Sequence, residues 1–530
     1  MASQGGFNNA PCLRQSAFDN HDLGIESPDG RSNPIHDHTK QWHGFGYFEH
    51  IFGDNDRVSL IAGSSDDRFQ IPNRSGVHAA DIGPGLTVNG VSDYLSDFLD
   101  ENQREITRFA TLSWQHSEGP LSVQTSLVVR YSSLNFSPDP NLGDLLFNGI
   151  SQQAYKKDVA YGFQSDAAYR LTDDHTIRAG VYGQIDHLTS NTLSQVLPTD
   201  NTGIPTTDIP VSIVDNSRAS QTMESAYVQD EWKILPVLTV NYGVRFDHYN
   251  AFSSGSQVSP RINFVWQAFE NTTIHAGYSK FFSPPPFELI ANASVLKYVN
   301  TTAAFFGLSG DAVKAEKSNY YDVGVQQKLT EELTVGVDSY YKQATNLVDE
   351  GQFGAPIILT PFNYAHGQVY GVEFTGNYSV GHFQSYANFA IQRAIGKGIV
   401  SGQFNFSPDD LAWIANHYIH LDHEEQVTVS AGASYEWQEG TRVSGDLILG
   451  SGLRATVNTP NDDHLPYYEQ VNLGVSHAFD RQGLKGFSAR FDVINALDKQ
   501  YQIRNGTGVG VGAPQFGPRR GYFVGISQRF

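Results

Sequence analysis

From Leu238 onward the chain alternates one for one. Leu238, Val240, Tyr242, Val244 and Phe246 take one set of positions, and Thr239, Asn241, Arg245 and Asp247 take the other. Successive side chains of a β-strand point to opposite faces, so such a segment has one apolar and one polar surface. The split recurs with Leu333, Val335, Val337 and Tyr341 against Thr334, Gly336, Asp338 and Lys342. It recurs again with Val427, Val429, Ala431, Ala433, Tyr435 and Trp437 against Thr428, Ser430, Gly432, Ser434 and Glu436. The connections alternate too. Short turns, such as Glu118-Gly119-Pro120, Asp173-Asp174-His175, Pro236-Val237, Glu270-Asn271-Thr272 and Glu439-Gly440, are separated by long polar runs. These run from Asn73 to Gln103, Thr192 to Thr222, Ala291 to Glu316 and Gly398 to Glu424. Structureless loops beyond about 15 residues are uncommon in compact soluble domains. Transmembrane barrels have this asymmetry, with tight periplasmic turns and extended outer loops. The expected fold is therefore all-β, a large antiparallel transmembrane β-barrel of about 19 strands between Gln41 and Phe530. Trp114, Trp232, Trp266, Tyr341 and Trp437, near strand ends, suit interfacial girdles.

Composition agrees. A chain of 530 residues exceeds one ordinary compact domain unless its architecture grows by adding strands. Gly (50), Tyr (26) and Phe (33) are abundant while Cys (1) and Met (2) are scarce, a mixture suited to strands with one greasy and one wet face. No apolar run reaches the length of about 18 residues that a helical span needs, so helical membrane spans are excluded. A net charge of -21 argues against a nucleic-acid partner, since phosphate backbones are bound by clustered Lys and Arg. Cys12 stands alone, which leaves no disulfide framework and no Cys-based zinc site. The opening residues have no basic segment followed by an apolar one, as a secretory signal would.

The chain ends in Gly521-Tyr522-Phe523-Val524-Gly525-Ile526-Ser527-Gln528-Arg529-Phe530, with Tyr522, Val524, Ile526 and Phe530 on one face. This resembles the closing strand of outer-membrane proteins. Upstream, the run from Phe491 through Asn495, Leu497, Asp498 and Lys499 to Tyr501 is similar to a segment near the end of TonB-dependent receptors, and Pro518-Arg519-Arg520-Gly521 follows where that family leads into its last strand. Tyr370-Gly371-Val372-Glu373-Phe374 and the stretch from Tyr278 through Pro284 to Leu289 resemble two internal segments of the same family. The resemblance covers roughly residues 23 to 530.

It implies an outer-membrane uptake receptor, TonB-coupled in its full form, for a scarce bulky nutrient of siderophore, vitamin or glycan type, with no bond chemistry and no cofactor. Expected partners are outer-membrane lipid, the transported ligand, the TonB complex through the N-terminal region, and the barrel assembly machinery through the last strand. Such receptors carry a plug and about 22 strands. Residues 1–24 are therefore expected to be an irregular remnant and 25–530 the barrel, without a plug or the first strands, so that the chain is a non-transporting fragment. Polar residues expected to line the lumen are Arg245, Asp247, Asp338, Lys342, Glu373 and Glu436. Ligand recognition is expected in the outer loops, around Phe305-Phe306 and Phe353 to Phe362. His36, His38, His43 and His50 form the densest histidine group without a recognised ligand spacing, and Asp409-Asp410 and Asp462-Asp463 read as solvated loop acids. Two other readings stand beside the receptor: a plugless diffusion channel, and a soluble all-β protein acting on carbohydrate.

Overall fold

The computed structural model describes residues 34–36, 38–286, 296–304, 312–352, 359–403, 405–505, 511–512 and 514–529. Nineteen long strands follow one another along the chain: β1 (Thr39–Phe52), β2 (Asp56–Gln70), β3 (Asn102–Glu118), β4 (Leu121–Ser137), β5 (Ser151–Arg170), β6 (His175–Val196), β7 (Val211–Leu235), β8 (Leu238–Asn250), β9 (Ser254–Phe269), β10 (Thr272–Ser283), β11 (Glu316–Lys328), β12 (Leu333–Gln352), β13 (Leu359–Val380), β14 (Phe383–Ile399), β15 (Val427–Glu436), β16 (Thr441–Gly450), β17 (Tyr468–Ala478), β18 (Phe487–Ile494) and β19 (Gly521–Gln528). Each pairs antiparallel with its chain neighbours. A two-residue piece, Ile419–His420, adds to the edge of β14. The sheet curls into one barrel, and among the described residues no second sheet lies against its apolar face. A soluble sandwich would need that second sheet, so the soluble carbohydrate-active reading is set aside.

The strands ring a closed barrel, and the ring has one seam, where its first and last strands meet without a shared ladder. Among the described residues β1 pairs only with β2, β19 pairs only with β18, and no backbone hydrogen bond links β1 to β19. Exposure agrees: Val524 and Ile526 on β19 are 76% and 71% exposed, against 40% for Val244 on β8. Tyr522, Val524 and Ile526 share a face, as expected; Phe530 lies outside the described residues. Above the seam the loops clasp. Val511 donates its N–H to Asn73 Oδ1 (2.8 Å) and accepts from Arg74 N–H (3.1 Å). It is also buried with Leu86, Val88, Leu99, Leu145 and Leu197 in an apolar dome over β1 to β3.

On the apolar face Tyr278, Tyr321, Tyr341 and Tyr370 are direct cross-strand partners over β10 to β13, with ring centroids 5.2, 6.5 and 6.3 Å apart. At the short-turn end, Trp114 stacks on His116 (5.8 Å) and Trp232 on His175 (5.4 Å). One boundary differs from the sequence reading. The run from Thr192 to Thr222 is mostly strand, because β6 and β7 are 22 and 25 residues long and keep their ladder to Val196 and Val211. Beyond the bilayer both faces meet water, so the apolar period disappears while the hydrogen-bonded ladder continues.

The family-like segments have local physical causes. Asn495, fully buried with φ +48°, donates to the carbonyls of Lys499 (2.9 Å) and Pro518 (2.8 Å). Asp498 receives a two-pronged pair from Arg519 (2.8 and 2.7 Å), and that guanidinium holds its carboxyl far below the usual carboxylate range. Together they close the connection that feeds β19. Asp410 turns out to cap the helix Pro408–Ile414 with Ser407, and Asp462 accepts from the N–H groups of Val457 (2.8 Å) and Thr459 (3.1 Å), so both are structural loop acids.

Candidate functional site

The register sets which polar residues meet on the inner wall. Arg245 and Asp247 sit two apart on β8, and Arg245 donates from Nε to Asp247 (2.7 Å) and from Nη2 to Ser225 of β7 (2.6 Å). Asp338 on β12 and Glu373 on β13 are direct cross-strand partners. Lys342, one turn of the ladder above, pairs with the nearly buried Glu316 of β11 (2.5 Å). Five of the six expected wall residues thus fall on β8, β12 and β13, on the polar face of the sheet. Glu436 does not join them: it stands exposed at the short-turn end of β15, opposite Arg442.

Residues not singled out in the sequence complete the wall. His275 Nε2 lies 2.7 Å from Asp338 and 3.6 Å from Asp322, spanning Gly324, which sits between His275 and Asp338 in the ladder. Tyr340 reaches over Gly371 to donate to Gln392 (3.0 Å). A Cβ at Gly371 would stand 2.8 Å from both the Tyr340 hydroxyl and the Ile391 carbonyl, so only glycine leaves room for this bridge. The alternation Thr273, His275, Gly277, Ser279 carried the signal for His275, but nothing in one strand reveals which residues bond across a third. Arg130 with Asp158 (2.9 Å) forms a further interior pair.

A cavity of about 300 Å³ opens on this wall between β6 and β10, lined by Tyr182, Ser225, Arg245, Ser259, Arg261 and Phe281 among others. The expected recognition aromatics are placed differently. Phe362, at the outer end of β13, is buried against Tyr364 and Phe406, and Phe305, Phe306 and Phe353 lie outside the described residues. The histidine group also separates: the ladder puts His43 and His50 on opposite faces of β1, with His43 3.5 Å from Asp67. Among the described residues no set of His, Cys, Asp or Glu is arranged to hold a metal ion.

An antiparallel barrel of this size, with a polar interior, a lipid-facing aromatic surface and long loops on one rim, defines a large outer-membrane β-barrel. Residues 42–496 match the family model described as TonB dependent receptor-like, beta-barrel. The chain belongs to that family, whose members are outer-membrane transporters and receptors of Gram-negative bacteria and not enzymes. Solved structures share the fold. The FrpB iron transporter from Neisseria meningitidis aligns with a TM-score of 0.65 at 12% identity, covering 98% of this chain and 75% of that one. The ferric yersiniabactin uptake receptor FyuA from Yersinia pestis aligns at 0.67 and 14%, covering 97% and 74%. The copper transporter OprC aligns at 0.64 and 14%, covering 96% and 74%. No curated protein matches the chain in sequence.

Proposed function

We propose that this chain forms the translocating barrel of a TonB-coupled uptake receptor for a scarce, bulky nutrient, with a metal chelate as the favoured cargo. The observation that carries the reading is the cavity on the inner wall, where charged, hydroxyl and aromatic side chains converge inside a barrel of the receptor family. FrpB and FyuA are named for iron and ferric yersiniabactin, OprC for copper. Bare cuprous copper selects thioether and thiolate ligands, and this chain has only Met1, Met223 and Cys12, which favours a chelate gripped by oxygen and nitrogen groups. Arg245, Asp247, Asp338, Lys342 and Glu373 would divide between lining the path and holding whatever fills the lumen. Residues 25–530 supply the barrel in this reading, and β19 offers its free edge to the assembly machinery.

The seam is the basis for a second part of the proposal: the chain by itself does not transport, because an edge in lipid leaves backbone groups unpaired until other strands meet it. The test has two arms. In the cell of origin, deleting the gene should lower TonB-dependent accumulation of a radioiron chelate from a panel that includes vitamin and glycan cargoes. In planar bilayers the purified chain should give no stable large conductance; a stable pore would replace the receptor with the diffusion channel.

A further inference from the structure

The cavity between β6 and β10 is electrostatically at odds with the rest of the chain. The protein carries a net charge of -21, and the nearby wall is acidic, with Asp322, Asp338 and Glu373. The cavity is lined by Arg245, Arg261 and Lys280 against Asp247 and Glu224, a cationic excess on an acidic chain. Arg245 opposes Ser259 in the ladder, and Arg261, two residues on from Ser259, opposes Gly243, so the two arginines are diagonal neighbours on one face. On its other side Arg261 faces Ser279. Glycine and serine on either flank leave the Arg261 side chain uncrowded. Among the described residues Arg261 takes no hydrogen-bond or ion-pair partner, whereas Arg245 spends two of its five N–H groups on Asp247 and Ser225. Tyr182 and Phe281 add aromatic surface, and the buried Ser259 hydroxyl accepts from Gln257 (3.0 Å).

We infer that this cavity is a subsite for an anionic ligand, a metal chelate or similar solute whose carboxylate, phenolate or phosphate oxygens bridge Arg261 and the free N–H groups of Arg245. Guanidinium presents planar, paired donors that suit such oxygens, and its charge-assisted bonds are about twice as strong as neutral ones. The assignment rests on the uptake reading above and narrows it to cargo of net negative charge. A barrel lacking this subsite would, on its overall charge, exclude anions and concentrate cations.

The full chain, folded in detergent, would be dialysed to equilibrium against the monoanionic iron(III)–EDTA chelate and, separately, against cobalt(III) hexammine. The expected result is retention of the anionic chelate, weakened by added salt. Arg261→Gln should lower its affinity about tenfold, the scale of one lost charge-assisted bond, with Arg261→Lys between the two. Asp247→Asn releases Arg245 from its internal counterion and should raise affinity about threefold. A barrel that had merely lost its fold could not bind more tightly, so this variant separates the subsite from a general structural effect. Retention of cobalt(III) hexammine in place of the anionic chelate, or anion binding indifferent to both Arg261→Gln and Asp247→Asn, overturns the subsite and leaves the uptake reading standing. Retention of neither probe overturns the subsite and counts against uptake through this lumen as well.

Discussion

The wall from β4 to β14 and the seam between β1 and β19 are built from the same alternating sequence, yet they differ in what holds them. Every wall strand has two ladders, and at Gly324 and Gly371 polar pairs span the glycine, His275 with Asp338 and Tyr340 with Gln392. The seam strands have one ladder each, and the contacts that reach across lie above the membrane, at Asn73 and Val511. Alternation therefore encodes a strand, while a closed neighbourhood depends on a partner that alternation does not name.

The largest contrast should appear in amide exchange. Protection in β6 and β7 should approach that of global unfolding, while β19 and the free edge of β1 exchange by local opening. Equal protection in β19 and β7 would mean that the seam is paired in solution. Next in size is the cost of a charge on the apolar face. Val244→Arg should cost about 2–4 kcal/mol if β8 faces lipid at mid-depth, read from urea unfolding in bilayers. A neutral result would contradict that orientation. Smaller and more specific is a matched pair of glycines. Gly371→Ala should cost about 1–3 kcal/mol because its methyl displaces Tyr340, whereas Gly525→Ala, with nothing nearer than 3.9 Å, should stay within about 0.5 kcal/mol. Similar costs at both sites would remove the bridge as an explanation.

The clasp above the seam adds a pH dependence. Glu101 is fully buried beneath the dome against Asp144, with Asp139 and Asn73 also facing it, and none of these is a cation. Burial first, then the neighbouring Asp144, push the Glu101 carboxyl well above its ordinary value, and burial raises Asp144 likewise. For an acid whose folded pKa is raised, stability is full below the ordinary carboxyl range and is lost as pH rises through the folded value. Protease nicking of residues 73–101 should therefore increase from mildly acidic to alkaline pH, and Glu101→Gln should flatten that rise. An unchanged profile in the variant would assign the effect elsewhere. Asp498 runs the opposite way: its lowered pKa keeps the latch beside β19 intact above the ordinary range and releases it only in strong acid. Being exposed, the pair is worth under about 1 kcal/mol, so Asp498→Asn should make only a small change in thermal unfolding.

Much of this could be read in the residues. The alternation on β8, β12 and β15 fixes their faces, and the short turns fix which rim is which. The strand number follows once those are counted. The shared face of Arg245 and Asp247, and that of Asp338 and Lys342 opposite Glu373, follows from the same alternation. Glu436 was readable as facing inward, but its depth was not, because depth depends on how far each strand extends beyond its last apolar residue. The burial of Phe362 is not legible in the sequence, because at the outer end of β13 it arises from contacts with Phe406 and Ile414, far along the chain. The significance of Arg261 is relational and so not legible in one strand: it comes from Gly243 opposite and from having no hydrogen-bond or ion-pair partner among the described residues.

Arg261 is next to Ile262, and Ile262 is the ladder partner of Tyr278, the first of the four tyrosines in a row on the apolar face. One peptide unit thus joins a group that grips solute to a row whose phenols settle where hydrocarbon meets headgroup. Strand tilt in a barrel is set by strand number and shear rather than by the lipid, so the row keeps its aim and a thicker or thinner bilayer deforms around it. Solute capture is thereby insulated from lipid chain length: the same dialysis in short-chain and long-chain bilayers should return one affinity for the wild type, and two different affinities would show that the strands yield to the membrane.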